Sequence, residues 1–268
     1  MNRIDRAFER ARAEGRAALI VFVTAGDPDL DTTERLIPLL AEAGADIVEL
    51  GVPHSDPIGE GPTIQAASVR ALAGGATVPR ILELVARVRK QTDVPIVLMG
   101  YLNNVLSYGE EKLIQDAGAV GADGLIMADI PYEEAPALQA ACEAKGVHRV
   151  LLVTPTSTPE RVLQIAKRSK GFVYCVALTG VTGERSDLPP DLESLVARVR
   201  RVTSTPVAVG FGISNVSQVR RVAELADGVI VGSALVSRIA RADSPAAALE
   251  AAAEFVRELR SGIHPTAR

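Results

Sequence analysis

Eight short runs of apolar residues, each followed by a turn signal and then a helical pattern, limit what this chain can fold into. They fall at 19–23, 47–50, 95–99, 124–128, 150–153, 172–176, 206–209 and 229–231. The runs are continuous rather than alternating, the pattern of parallel strands covered on both faces. The segments between them repeat apolar residues at spacings of three and four. Ile81, Leu82, Val85 and Val88 make one such stripe, Leu192, Leu195, Val196, Val199 and Val202 another, and Val219, Val222 and Ala223 a third; these are core-facing helix surfaces. Strict alternation of strand and helix predicts a parallel sheet with right-handed crossovers, and eight repeats predict closure into a single α/β domain, a (β/α)8 TIM barrel over residues 1–268. An open doubly wound sheet would normally carry a GxGxxG turn after its first strand, where this chain reads Ala25-Gly26-Asp27-Pro28.

Composition narrows the chemistry. The net charge is −4 and the charges are interspersed, which is no footprint for nucleic acid. The two cysteines, Cys142 and Cys175, lie in apolar surroundings without CxxC spacing and read as reduced core thiols. The three histidines, His54, His148 and His264, are too scattered for a zinc site, so no metal is expected. The first residues are charged, and the apolar runs fall far short of the ~18 residues that a membrane span needs. A cytoplasmic protein is expected.

In a barrel of this kind the active site lies at the C-terminal ends of the strands. Glu49 sits in an apolar strand, where a carboxylate is costly unless it is paired or useful. Facing the barrel mouth, it would have its pKa raised by burial toward the range of a general acid/base. The loop behind it is stiffened by Pro53, Pro57 and Pro62 and adds two further carboxylates, Asp56 and Glu60. Asp56 reads equally well as a turn cap, and Asp129, after the fourth run, slightly better as one. Gly210 and Gly212 after the seventh run, and Gly232-Ser233 opening a helix after the eighth, have the character of a phosphate site, since glycine lets backbone N–H groups approach an oxyanion and a helix N-terminus favours it. The longer loop 179–186 mixes glycines with polar residues and reads as a lid. No lysine falls at the catalytic end of a strand, which disfavours a Schiff-base aldolase. What remains is carboxylate acid/base catalysis, with Tyr101 and Tyr174 available beside it.

Glu49-Leu50-Gly51-Val52-Pro53-His54-Ser55-Asp56-Pro57, continuing to Gly61-Pro62-Thr63-Ile64-Gln65, closely resembles the signature of tryptophan synthase alpha subunits. Phe22-Val23-Thr24-Ala25-Gly26-Asp27-Pro28, Thr179-Gly180-Val181-Thr182-Gly183 and Gly210-Phe211-Gly212-Ile213-Ser214 do so too, in matching order along essentially the whole chain. The resemblance implies an eight-stranded barrel that cleaves indole-3-glycerol phosphate into indole and glyceraldehyde 3-phosphate by a retro-aldol route. It puts the proton-transferring glutamate at Glu49 and the carboxylate that accepts the indole N–H at Glu60, where the family usually has aspartate. His54 likewise replaces the usual aromatic residue.

By the same resemblance the indole pocket draws on Phe22, Met99, Ala128, Leu152, Tyr174 and Phe211. The phosphate sits on Gly183, Gly212, Gly232 and Ser233, and Thr182 bonds a catalytic carboxylate when the lid closes. Asp56, Asn103 and Pro131 match loops that face a partner. That partner is a tryptophan synthase beta subunit, which carries pyridoxal phosphate and receives indole in an alpha-beta-beta-alpha assembly; this chain itself needs no cofactor. Two other readings stay open: chiefly an allosteric activator of the beta subunit with weak lyase activity because of Glu60, and a sugar-phosphate isomerase on the same barrel.

Overall fold

The computed structural model describes residues 1–57, 59–176, 190–210 and 212–263. Its strands are β1 (Ala18–Thr24), β2 (Ile47–Gly51), β3 (Ile96–Gly100), β4 (Gly124–Met127), β5 (His148–Val153), β6 (Val173–Val176), β7 (Val207–Gly210) and β8 (Gly228–Val231). They pair in parallel, each with its sequence neighbour, and β8 returns to β1 to close the barrel. Each expected run contains or overlaps one strand. The fifth strand begins earlier than its apolar run, at His148, and the fourth ends at Met127, one residue short of Ala128.

The helices between the strands are α2 (Leu30–Glu42), α3 (Pro62–Ala73), α4 (Val78–Val88), α5 (Leu102–Tyr108), α6 (Glu110–Val120), α7 (Pro136–Ala144), α8 (Pro159–Arg168), α9 (Leu192–Arg200) and α10 (Val216–Leu225); α11 (Ser233–Ala240) and α12 (Pro245–Ser261) follow the last strand. The stripes read from the sequence lie against the strands, buried apart from the half-buried Val202: Ile81, Leu82, Val85 and Val88 are 0–4% exposed.

Side chains alternate along each strand. Leu19, Val21 and Val23 of β1 pack outward into the layer between sheet and helices, while Ala18, Ile20 and Phe22 turn inward. By the same parity Ile47, Val97, Ile126, Val150, Ala208 and Ile230 fill the interior. Because the pairing register sets Phe22 beside Glu49, and Glu49 beside Val97, the inward side of β2 next to the mouth is occupied by Glu49.

One element was not anticipated from the sequence. Helix α1 (Arg3–Ala13) precedes the first strand and places Ile4, Ala7, Phe8 and Ala11, one face at helical spacing, against the barrel floor. Asn2 caps it by accepting from the Ile4 N–H at 2.8 Å, and Asp5 meets His148 Nε2 at 2.9 Å. Gly124, at the first position of β4, is what lets it seat: a Cβ there would lie 2.9 Å from Ile4 Cδ1. Helix α1 thus plugs the N-terminal end of the barrel, opposite the ends of the strands.

Candidate active site

Glu49 projects from β2 into the mouth and is 1% exposed. Its Oε2 has no hydrogen-bond partner among the described residues. Burial, and then the nearby charge of Glu60, push its carboxyl up to about 8. A carboxyl poised near neutrality can both give and take a proton at the pH of the cell.

Glu60 reaches the same cavity from the loop after β2. The loop turns on the Glu60 N–H bonded to the Pro57 carbonyl at 2.9 Å, and the Glu60 carbonyl accepts from Gln65 Nε2 at 3.0 Å. Asn104 Nδ2 ties the loop at the Pro53 carbonyl, 3.4 Å away. The Glu60 carboxylate accepts a hydrogen bond from the Tyr101 hydroxyl at 3.3 Å. Burial raises its pKa and the Tyr101 donor opposes that rise.

The apolar wall is made by Phe22, Ile64, Met99 and Ile230, with Tyr174 standing opposite Glu49. Two glycines of the strand ends make room for its rings. A Cβ at Gly51 would lie 2.5 Å from Phe22 Cζ, and one at Gly210 would lie 2.8 Å from the Tyr174 hydroxyl. Burial, then the charges of Glu49 and Glu60, raise the Tyr174 hydroxyl well above its ordinary range, so it stays a donor.

The far end of the cavity is built from backbone. Gly212 follows β7 with φ +79°, a conformation that favours glycine. Gly232 is the N-cap of α11, and Ser233, 8% exposed, is its first residue. The first-turn amides of a helix lack intrahelical acceptors and carry the positive end of its dipole. One cavity thus holds two carboxylates, an apolar wall, and the backbone of Gly212, Gly232 and Ser233 at a helix N-terminus.

Of the residues expected at this site, Phe22, Glu49, Glu60, Met99, Tyr174, Gly212, Gly232 and Ser233 come together here. Ala128 and Leu152 do not line this cavity. They border a neighbouring one of about 720 Å³ at the rim of β4 and β5, with Pro131 and Tyr132. Ala128 lies beyond the end of β4 and is exposed, because the strand stops one residue earlier than its apolar run. Leu152 keeps its inward parity, packs against the interior cluster and is the register partner of Tyr174. Thr182, Gly183, the rest of the 179–186 loop and Phe211 lie outside the described residues.

Asp129 does not cap its own turn. Its carboxylate accepts from the Leu102 N–H at 2.8 Å and so caps α5 from the adjacent loop. Asp56 and Asn103 are exposed and Pro131 partly so; they follow three consecutive strands, Asp56 and Pro131 in loops and Asn103 in the first turn of α5. Exposed Leu102 and Leu106 share that rim. Sequence reasoning missed Ile64, Val176 and Ile230 as cavity residues; for Ile230 the inward parity of the eighth run was the available signal.

Fold and cavity together define a class: a (β/α)8-barrel enzyme whose cavity, lined by two carboxylates, opens at the C-terminal ends of the strands. The sequence profile of the family described as tryptophan synthase alpha chain matches residues 8–264. The tryptophan synthase alpha chain of Geobacter sulfurreducens is 50% identical over 263 residues, 98% of this chain and 99% of the relative. That of Caldanaerobacter subterraneus subsp. tengcongensis is 49% identical over 260 residues, covering 97% and 99%. Among solved structures, a chain of Mycobacterium tuberculosis tryptophan synthase superposes with a TM-score of 0.90 at 39% identity, covering 97% of this chain and 98% of that one. The tryptophan synthase alpha subunit of Legionella pneumophila gives 0.89 at 37% identity, with 98% of each covered. The chain belongs to the tryptophan synthase alpha chain family, and it is a carbon–carbon lyase of indole-3-glycerol phosphate.

Proposed function

We propose that Glu49 and Glu60 divide the retro-aldol cleavage between them. Glu49 protonates C3 of the indole ring, which breaks its aromaticity and leaves positive charge on the ring nitrogen. Glu60 accepts the indole N–H and stabilises that charge. Glu49, now a carboxylate, takes the proton of the side-chain hydroxyl next to the ring. The electrons of that O–H bond form the aldehyde, the C–C bond breaks, and its electron pair restores the indole. Gly212, Gly232 and Ser233 hold the phosphate and set the hydroxyl within reach of Glu49. The observation that carries this reading is the state of Glu49: buried, unpaired at Oε2, and with a proton affinity raised to about 8 in the cavity that Gly212, Gly232 and Ser233 also line.

The chain acts in the cytoplasm, without a cofactor of its own, as the alpha half of an alpha-beta-beta-alpha assembly whose beta subunit carries pyridoxal phosphate and takes up the indole. Asp56, Asn103 and Pro131, exposed to different degrees on one rim with Leu102 and Leu106, are the surface offered to that subunit. The test is indole release from indole-3-glycerol phosphate, with and without a tryptophan synthase beta subunit. Turnover that rises strongly with the partner and disappears in Glu49→Gln is the expected result. High turnover that the partner leaves unchanged would sink the assembly reading in favour of a free-standing lyase, and turnover that survives in Glu49→Gln would sink the assignment of Glu49.

A further inference from the structure

The ring of His54 lies on the ring of Tyr101, with centroids 5.0 Å apart and planes 19° from parallel. The Tyr101 hydroxyl then donates to Glu60. Both rings are held at their backbones. The Tyr101 N–H donates to Asn104 Oδ1 at 3.0 Å, and the Nδ2 of the same Asn104 donates to the carbonyl of Pro53, the residue before His54. A flexible three-carbon side chain such as that of Glu60 has many rotamers, and a donor fixed from behind selects among them.

We propose that His54 and Tyr101 are positioning residues for Glu60: the imidazole holds the phenol ring in place, and the phenol hydroxyl holds the longer carboxylate where the indole nitrogen will lie. This deepens the reading of Glu60 given above and rests on it. The same hydrogen bond favours the ionised carboxylate, because a donor stabilises charge. It works against burial, which raises the Glu60 carboxyl; the titratable groups that share the cavity with Glu60 from other elements are Glu49 on β2 and Tyr174 on β6. Asp129, in the loop after β4, acts on Tyr101 and helps keep its hydroxyl protonated. His54, in the same loop as Glu60, reaches it through the stack.

The test compares the full chain with Tyr101→Phe, His54→Phe and His54→Ala, each checked for an unchanged circular dichroism spectrum. In Tyr101→Phe, kcat for indole-3-glycerol phosphate should fall about tenfold, the scale of one lost charge-assisted hydrogen bond, with KM changed less than about twofold. The acid limb of its kcat/KM profile should move to higher pH. His54→Phe, which keeps a ring on the phenol, should retain most of the activity that His54→Ala loses. Carbon-13 titration of side-chain-labelled glutamate gives a readout that needs no turnover: the Glu60 carboxyl should protonate at higher pH in Tyr101→Phe than in the parent. An unmoved Glu60 titration or a kcat equal to the parent's in Tyr101→Phe would overturn the role of Tyr101. Equal losses in His54→Phe and His54→Ala would overturn that of His54. If the parent itself made no indole, the assignment of Glu60 to that reaction would fail separately, while the titration would still decide the positioning.

Discussion

A carboxyl buried without a partner for one oxygen is destabilising when charged, and Glu49 carries that penalty in this fold. Its proton affinity is raised from an ordinary 4.5 to about 8, so between those values the native chain holds a proton that the unfolded chain releases. Its contribution to stability is therefore complete at low pH and is lost as pH rises through about 8. Glu49→Gln is neutral throughout, so its stability advantage over the parent should grow from pH 4.5 to above 8, to the order of a few kcal/mol. Denaturant titrations at pH 5 and pH 9 check this; an advantage independent of pH would mean that the site holds the charged carboxylate comfortably. Glu60→Asp tests the neighbouring position. It draws the carboxylate back from a Tyr101 hydroxyl already 3.3 Å away. A displacement of about 1 Å can cost on the order of a hundredfold, so indole release should fall by ten- to a hundredfold. A large rise, with activation of the beta subunit unchanged, would favour the activator reading instead.

Among the elements, α1 and α11 act at opposite ends of the barrel. Helix α1 closes the floor through Phe8, whose ring centroid lies 5.7 Å from that of Phe172. Phe8→Ala should lower stability by about 3–5 kcal/mol, the usual cost of a large-to-small change in a core. Because the plug is remote from both carboxylates, kcat of the folded enzyme should stay at the parental value. Unfolding curves and kinetics on one preparation separate the two. The N-terminus of helix α11 lines the same cavity as Gly212, where the proposed reading puts the phosphate. Gly212→Ala puts a side chain on a backbone at φ +79°, which costs about 1–2 kcal/mol. It should raise KM well before it lowers kcat. An unchanged KM would separate Gly212 from the phosphate.

For the molecule as a whole, a ligand that binds only the closed barrel stabilises it by mass action. A non-reactive indole phosphate analogue at a hundred times its dissociation constant should add about 2.7 kcal/mol. Calorimetry on the parent and on Gly212→Ala, at one fixed analogue concentration, should show a smaller upward shift of the melting midpoint in the variant. No shift in the parent would argue against an anion site at that end. Among the described residues no helix is long and apolar enough to cross a membrane.

Much of this was legible in one dimension, and the physical reason is local. A strand buried on both faces must be apolar throughout, and a helix lying on it must repeat every three to four residues, so eight alternations were enough to specify the barrel. Glu49 stood out because charge inside such a run is costly, and the glycines at 212 and 232 because backbone can approach an anion there. Three things needed the tertiary structure. Barrel closure and pairing register decided that Glu49, Tyr174 and Ile230 face one cavity, since parity assigns a side but not a neighbour. The end of β4 at Met127 decided that Ala128 leaves the site, because strand ends are set by hydrogen bonding to adjacent strands. And the stack of His54 on Tyr101, 47 residues away in sequence, arises only where the loop after β2 meets the start of α5.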